Sequence, residues 1–548
     1  MPALPASQRS RWLFGPVPDL FLGCGLAYLL VFVLLVVAGK EVQTLVPVGL
    51  LVMLSLLAGT PHYGATILRV YERSEDRRAY RIFALWATLV IAAAFTVGVY
   101  DVMVASVLFT IYVTWNAWHY TGQNYGIALM FLGRRGVQVR PLEKRIVYAS
   151  FVLSYVLIVL ALFGGDAGGG YAPQTGDRTA LVTFLPIGLP PGIVGPATAL
   201  VAAAYLGALA GAGVLLGRRT AWRDLGPSAL LVLVQAVWFA VPQIARVSGI
   251  FQSAAPLAAD YAQYAFFWIA YAHAIQYLWI TTYYATARDP QLGRFKFYWK
   301  SVLAGSVVWG VPALVFAPRW LGSLPNQGGL VLLVAAAVNI HHFVLDGAIW
   351  KLRDGRIARV LIRSERAAAP AVAPRSAVFR PLVWGVGALC AAVFVFDTWE
   401  TYFGFAAAYA RRDTERVHTA VERLEWIGRD GAEMHYVAAQ MLAVDQRVPE
   451  AMRHLQRSVE TGPTARAWTG IGELHEWRSE WREAIEAYDA ALALTPDHVP
   501  ALYRSGLVLY RLGQPAQAKE RLARASALDP TNREVAEALR VASLNSTS

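Results

Sequence analysis

Five histidines before Tyr402 lie inside or at the ends of long apolar runs. They are His62 in GTPHYGAT, His119 in WNAWHYTGQNYG, His273 in YAHAIQYLW, and His341 and His342 in NIHHFVLDGAIWK. An ionisable side chain at bilayer depth is costly, and it turns to the bundle interior, where it marks an ion or substrate site. Imidazoles on several facing helices suit iron, copper or zinc. Helical spacing adds polar neighbours on the same faces: Asn116, His119 and Gln123 fall at i, i+3 and i+7, as do Asn339, His342 and Asp346, while His273 and Gln276 are three apart. That pattern predicts ligating histidines oriented by an adjacent amide or carboxylate, with Asp346 either such a partner or a direct ligand. A single membrane histidine is more often interhelical glue, worth about 0.6 kcal/mol as a hydrogen bond. The set as a whole favours a metal or redox site, with bis-histidine haem as a special case, although no c-type CxxCH motif is present.

These residues need elements to hold them. The chain has 548 residues, 56% hydrophobic and 16% charged, against about 25% charged in a soluble domain. Apolar runs of the length that crosses a bilayer, about 20 residues, predict spans near 19–39, 43–68, 80–99, 102–131, 147–164, 191–216, 226–246, 257–285, 298–317, 328–350 and 380–398. The expected fold is all-α: a polytopic membrane bundle of about eleven spans, with a further helical domain after it. Loop charge fixes the direction. Arg69, Arg73, Arg77, Arg78, Arg134, Arg135, Lys144, Arg145, Arg218, Arg219, Arg294, Lys296, Lys351 and Arg353 fall on one side, and only Lys40, Arg178, Arg246 and Arg319 on the other. The N-terminus is therefore expected in the cytoplasm and the C-terminal domain outside it, in the periplasm if the cell is Gram-negative. The run Asp19–Ala38 reads as an uncleaved first span.

The histidine-bearing spans are the second, fourth, eighth and tenth, all running from outside to inside. At 1.5 Å per residue the rings fall roughly 18–30 Å below the external helix ends, in one layer. The eighth span is also dense in aromatics, Tyr261, Tyr264, Phe266, Phe267, Trp268, Tyr271, Tyr277, Trp279, Tyr283 and Tyr284, which a lipophilic substrate could lie along and which packing explains equally well. The net charge of +12 resides before Tyr402 and is accounted for by those loops, with no nucleic-acid motif. Cys24 and Cys390 sit in apolar runs and form no metal-binding pair. The Gly-rich segment Gly164–Asp177 reads as an external loop, and Ser364–Arg375 as a flexible linker.

Residues 432–530 repeat at about 34 residues. Trp468, Gly472, Ala484, Tyr488, Ala491 and Pro496 recur as Leu502, Gly506, Ala518, Leu522, Ala525 and Pro530, and Ala439, Ala451, Leu455 and Pro463 form a weaker earlier copy. Small residues let two helices approach, large ones fill the groove, and proline ends the second helix. The pattern resembles the tetratricopeptide repeat (TPR), an α-solenoid unit. That resemblance implies a docking module for a peptide or protein partner, with 533–545 as a capping helix. The expected division is 1–402 membrane domain, 403–431 connecting helices and 432–548 repeat domain. His418, His435, His454, His475 and His498 are expected at scattered, surface-like positions without ligand spacing.

PHYG (Pro61–Gly64) and WHYTGQN (Trp118–Asn124) resemble the PHG and WHFG elements of the Brp/Blh family of integral-membrane, histidine-ligated, iron-dependent carotenoid dioxygenases. The resemblance implies His62 and His119 as iron ligands, with His273 and one of His341 and His342 completing the set. Three functions follow as expectations: a membrane metal-dependent oxidoreductase, iron being the first candidate, acting on a lipophilic substrate; a non-enzymatic scaffold or transporter whose repeats gather envelope proteins; and, least favoured, a membrane-embedded glycosyltransferase, whose long acidic first external loop is here only Gly39–Val42.

Overall fold

The structure is a computed structural model that describes residues 11–72, 74–164, 181–248, 262–317, 320–325, 329–350, 355–362 and 379–544. The expected loop at Gly164–Asp177 beyond its first residue and the linker Ser364–Arg375 lie outside the described residues. Two compact units divide the chain, Met1–Leu324 with Gly328–Val395, and Phe396–Ser548 with Pro325–Gln327. The division falls a few residues before the expected boundary at 402, within the continuous helical run from Phe379 to Arg411.

In the first unit the described elements are helices. Seven are long and apolar enough to cross a membrane: Val48–Tyr71, Ile82–Tyr100, Pro141–Phe163, Pro191–Gly217, Trp222–Arg246, Val331–Ile349 and Trp384–Arg411, the last running on into the second unit. An eighth is the pair Pro16–Gly23 and Leu26–Ala38, bent by 54°. The bend passes through Gly25 at φ +85, a left-handed conformation that glycine adopts without steric penalty. Val102–Arg134, Ala262–Arg288 and Arg294–Val315 are equally long but more polar. Two of these carry His119 and His273, while His62 and His342 lie on the apolar helices Val48–Tyr71 and Val331–Ile349.

The second expected span is broken. A helix over Val48–Ser55 gives way to a turn, and a new helix starts at Thr60. Pro61 occupies the first turn, where its missing N–H is no loss. The new helix packs backbone to backbone against Arg294–Val315. A Cβ on Gly64 would stand 1.8 Å from the Ser301 carbonyl oxygen, and one on Gly305 would stand 2.0 Å from that of Thr60. Such small-residue contacts are how helices associate where lipid removes the hydrophobic drive between them. The contact fixes the helix with His62 turned to the opposite side.

Polar ties lock the remaining helices, since a buried polar group without a partner is costly. Gln235 donates to Thr121 Oγ1 at 2.9 Å and to Ser154 Oγ at 3.0 Å, and accepts from Asn124 Nδ2 at 2.9 Å. Tyr264 donates to the Val46 carbonyl at 2.8 Å, while Tyr271 and Tyr28 donate to the carbonyls of Leu51 and Ala272. Several aromatics of the eighth expected span thus serve as helix fasteners.

The second unit opens with helices over Trp399–Ala406, Ala407–Arg411 and Thr414–Trp426, where buried Glu400 accepts from Arg416 and Arg423, each at 2.9 Å. Three antiparallel helix pairs follow: Ala432–Val444 with Val448–Thr461, Ala465–Trp477 with Trp481–Leu494, and Val499–Arg511 with Pro515–Leu528, then a last helix Arg533–Leu544. The repeating small residues sit where expected. A Cβ on Gly472 would meet the Tyr488 ring at 2.5 Å, and one on Gly506 would meet Leu522 Cγ at 2.7 Å. One expectation is corrected here. His418, His435 and His454 are buried, at 8%, 0% and 1% exposure, and hydrogen-bond to one another. They come from three different helices, so no spacing along one helix reveals them. His475 pairs with Glu480 at 2.6 Å, and His498 caps its helix by accepting from Ala501 N at 3.3 Å.

Candidate metal centre

Four of the five histidines of the first unit converge. His62 lies in the first turn of Thr60–Tyr71, His119 near the middle of Val102–Arg134, His273 in Ala262–Arg288 and His342 in Val331–Ile349. One ring nitrogen from each lies within 4.8 Å of all the others. Ring centroids are 4.1 Å apart for His62 and His342, and 4.8 Å for His62 and His273 and for His119 and His273. The interplanar angles of 75°, 89° and 71° turn ring edges, which carry the nitrogens, towards a shared centre.

Hydrogen bonding alone does not satisfy this group. The Nε2 atoms of His62 and His273 are buried with no hydrogen-bond partner. His119 Nε2 and His342 Nε2 face each other at 3.2 Å, and His342 Nδ1 is already engaged by Thr66 Oγ1 at 3.0 Å. A buried nitrogen without a partner costs about 1–3 kcal/mol, and two at one point call for an electron-pair acceptor. A transition metal meets that need: its bonds to imidazole nitrogen are about 2.0–2.1 Å long, so four donors within 4.8 Å of one another fit around one ion. The donor set contains nitrogen and, within reach, a carboxylate, but no thiolate.

Asp346 is the nearest acid. Its Oδ2 lies 3.4 Å from His342 Nε2 and 3.9 Å from His119 Nε2. Its Oδ1 accepts from Tyr277 at 2.7 Å and from Thr66 at 3.1 Å, and Trp350 Nε1 donates to the Tyr277 hydroxyl at 3.0 Å. Thr66 and Trp350 stand outside the expected site residues, and Tyr277 is expected only as one of the aromatics of the eighth span. Thr66 follows His62 by one helical turn, so i, i+4 spacing could have revealed it; nothing local marks the other two.

The remaining expected residues do other work. His341 points away from the cluster, with Nε2 2.9 Å from Thr88 Oγ1 and 3.2 Å from the Tyr71 hydroxyl. Adjacent residues on a helix diverge by about 100°, so only one of the pair can face the centre. Gln123 donates to the His273 carbonyl at 3.2 Å and to Gln276 Oε1 at 2.5 Å, and Gln276 donates to the Gly23 carbonyl at 2.9 Å. Asn339 accepts from Tyr63 at 2.8 Å and donates to the Ala335 carbonyl. Asn116 keeps a buried, unpartnered Oδ1. None of these amides has a hydrogen bond to a ring of the four. Three or four residues move a side chain about 5 Å along the axis, past the ligand ring and onto a neighbouring helix.

An apolar groove of about 580 Å³ opens beside the cluster, lined by Thr110, Ile111, Thr114, Trp115, Trp118, Tyr155 and Phe163. Trp115 packs on Phe343 with centroids 5.8 Å apart, and Phe343 stacks on His119 at 4.5 Å and 28°. Two aromatic rings therefore stand between groove and histidines.

No curated protein sequence matches the chain. Among solved structures it is similar to the crystal structure of YrrB, a TPR protein with an unusual peptide-binding site, at 21% identity, over 30% of this chain and 89% of that one, with a TM-score of 0.23. A family model described as tetratricopeptide repeat matches residues 478–541, over the second helix of the second pair, the third pair and most of the final helix, and this part of the C-terminal unit is built of tetratricopeptide repeats.

Proposed function

We propose that the membrane unit is a metal-dependent oxidoreductase, with His62, His119, His273 and His342 holding one transition metal ion, iron before copper or zinc, and with the Asp346 carboxylate, beside His342 Nε2 and His119 Nε2, as a further ligand or partner. The observation that carries this reading is the convergence of four imidazoles from four helices, three of them buried and His119 half-buried, two with orphaned nitrogens. A metal so held supplies a Lewis-acid and redox centre in a water-poor site. Thr66 and Tyr277 fix His342 and Asp346, and Phe343 with Trp115 screens the His119 side. The groove beyond them suits a lipophilic molecule entering from the bilayer. The loop-charge reading is retained: eleven spans in an inner membrane, N-terminus cytoplasmic, repeats extracytoplasmic, available to a peptide or protein partner.

The test is elemental analysis of protein purified in detergent. About one equivalent of transition metal per chain is expected, falling to background in His119→Ala. Metal-free wild-type protein, or a variant that keeps its metal, sinks the reading. The TPR match favours a second reading, a membrane-anchored scaffold whose repeats gather partners. It predicts that partner capture by the full chain survives loss of the four histidines and that no metal is found.

A further inference from the structure

The repeat unit holds a second histidine group, built on a different plan. His418 lies on Thr414–Trp426, His435 on Ala432–Val444 and His454 on Val448–Thr461. From one end to the other, Asp430 Oδ2 is 3.1 Å from His435 Nε2, His435 Nδ1 is 2.8 Å from His454 Nδ1, and His454 Nε2 is 2.9 Å from His418 Nδ1. His418 Nε2 then lies 3.3 Å from Glu450 Oε2 and 3.5 Å from Glu422 Oε1. The rings form a line closed at both ends by carboxylates. His454 spends one nitrogen on each neighbour, so the donors do not converge as a metal site requires.

Counting protons along the line gives its chemistry. There are four gaps: carboxylate to ring, ring to ring twice, and ring to carboxylate. Each gap needs one proton, because two lone pairs facing each other repel. Three neutral imidazoles bring only three. Whichever tautomers are chosen, one gap stays empty, setting a bare nitrogen against a carboxylate or two bare nitrogens against each other. A fourth proton fills all four gaps and leaves one positive charge between acids. We infer that His418, His435 and His454 together form a binding site for one shared proton, and that this proton makes the packing of the first repeat helices depend on pH.

The surroundings fit a single added charge. Facing the line are Glu422 from its own helix, Glu450 and Arg453 from the His454 helix, and Asp430 from the preceding turn. Arg447 pairs with Glu450, and Arg457 lies 3.2 Å from Asp430. Burial first, and then the two flanking imidazoles, push His454 down to about 3, and each end ring, unlike the middle one, has a carboxylate beside it.

The sign of the pH effect follows from proton counts. Unfolded, the three histidines titrate near 6.5; folded, the line holds one proton. Stability rises with pH where the unfolded chain binds more protons, and falls where it binds fewer. The two counts cross at about pH 6.8, where three ordinary histidines share one proton. Below that, acid destabilises these helices; above it, alkali does, until the shared proton is lost.

Hydrogen exchange of the full chain in detergent micelles, corrected for intrinsic rates, tests this. Protection of residues 414–461 should peak near neutrality and fall by up to about tenfold per pH unit on the alkaline side. Asp430→Asn should abolish the alkaline fall, because an amide can donate to His435 Nε2 and complete the neutral line. Wild-type protection that is flat above neutrality, that rises with pH and is reversed by a chelator, or that falls equally in Asp430→Asn overturns the inference. If Asp430→Asn does not fold, the wild-type profile decides alone.

Discussion

The molecule contains two buried histidine groups, one in each unit, and they solve opposite problems. In the first unit four rings aim at a common point, and two Nε2 atoms there lack any hydrogen-bond partner. In the repeat unit three rings lie end to end, and every ring nitrogen faces a nitrogen or a carboxylate oxygen within 3.5 Å. Burial is nearly the same in both. What differs is whether the lone pairs converge or alternate. Convergent lone pairs ask for a cation with several empty coordination positions; alternating ones ask for protons. Counting imidazoles alone would have treated the two alike.

The largest effect that would break this contrast is on metal content. His119→Ala or His342→Ala should lower bound metal from about one equivalent to background, while His454→Leu leaves it unchanged. Elemental analysis of the three proteins side by side decides. A metal lost from the His454 variant would collapse the distinction. Next is Asp346→Asn, which keeps shape but removes the carboxylate charge near His342 and His119. Loss of a carboxylate that ligates the metal or supports its ligands should lower metal affinity by about 10- to 100-fold or more, read by competition with a chromophoric chelator.

A smaller effect concerns the scaffold. Gly305→Ala forces a methyl group against the Thr60 carbonyl, one residue before Pro61 and two before His62. Overpacking costs about 1–3 kcal/mol, so the thermal midpoint in detergent should drop and metal retention weaken with it. Gly207→Ala, where a Cβ meets nothing within 4 Å, should do neither. The smallest effect is the acid arm in the repeat unit. Burial holds His454 at about 3, below its ordinary value, so its contribution is present above about pH 6.5 and is lost as pH falls towards 3. Hydrogen exchange over 448–461 should loosen across that window, and His454→Leu should flatten the response.

Much of this was legible from residue types. The 34-residue spacing of Gly472 and Gly506 with Tyr488 and Leu522 names a helix pair directly, because each glycine faces the ring or side chain that repeats with it. The four membrane histidines were legible as a set through their apolar context and shared direction. Their supporting residues were not. Asn116, Gln123, Gln276 and Asn339 lie on the expected faces, yet three of them fasten helices, because a shared face says nothing about which neighbour stands at a given height. The choice between His341 and His342, and the contact of Tyr277 with Asp346, depend on packing between segments far apart in sequence. The line His418–His454–His435 was missed for the same reason: its members are neighbours only once three helices have assembled.

One length has a consequence for how an ion would be held. The helix bearing His119 runs for 33 residues, about 50 Å, against a hydrocarbon thickness of about 30 Å, and the histidine lies close to its midpoint. If that helix crosses the bilayer as proposed, an ion held at His119 would lie far from water on either side. On the proposed reading, the finished protein should therefore hold its ion through prolonged dialysis instead of trading it with the buffer.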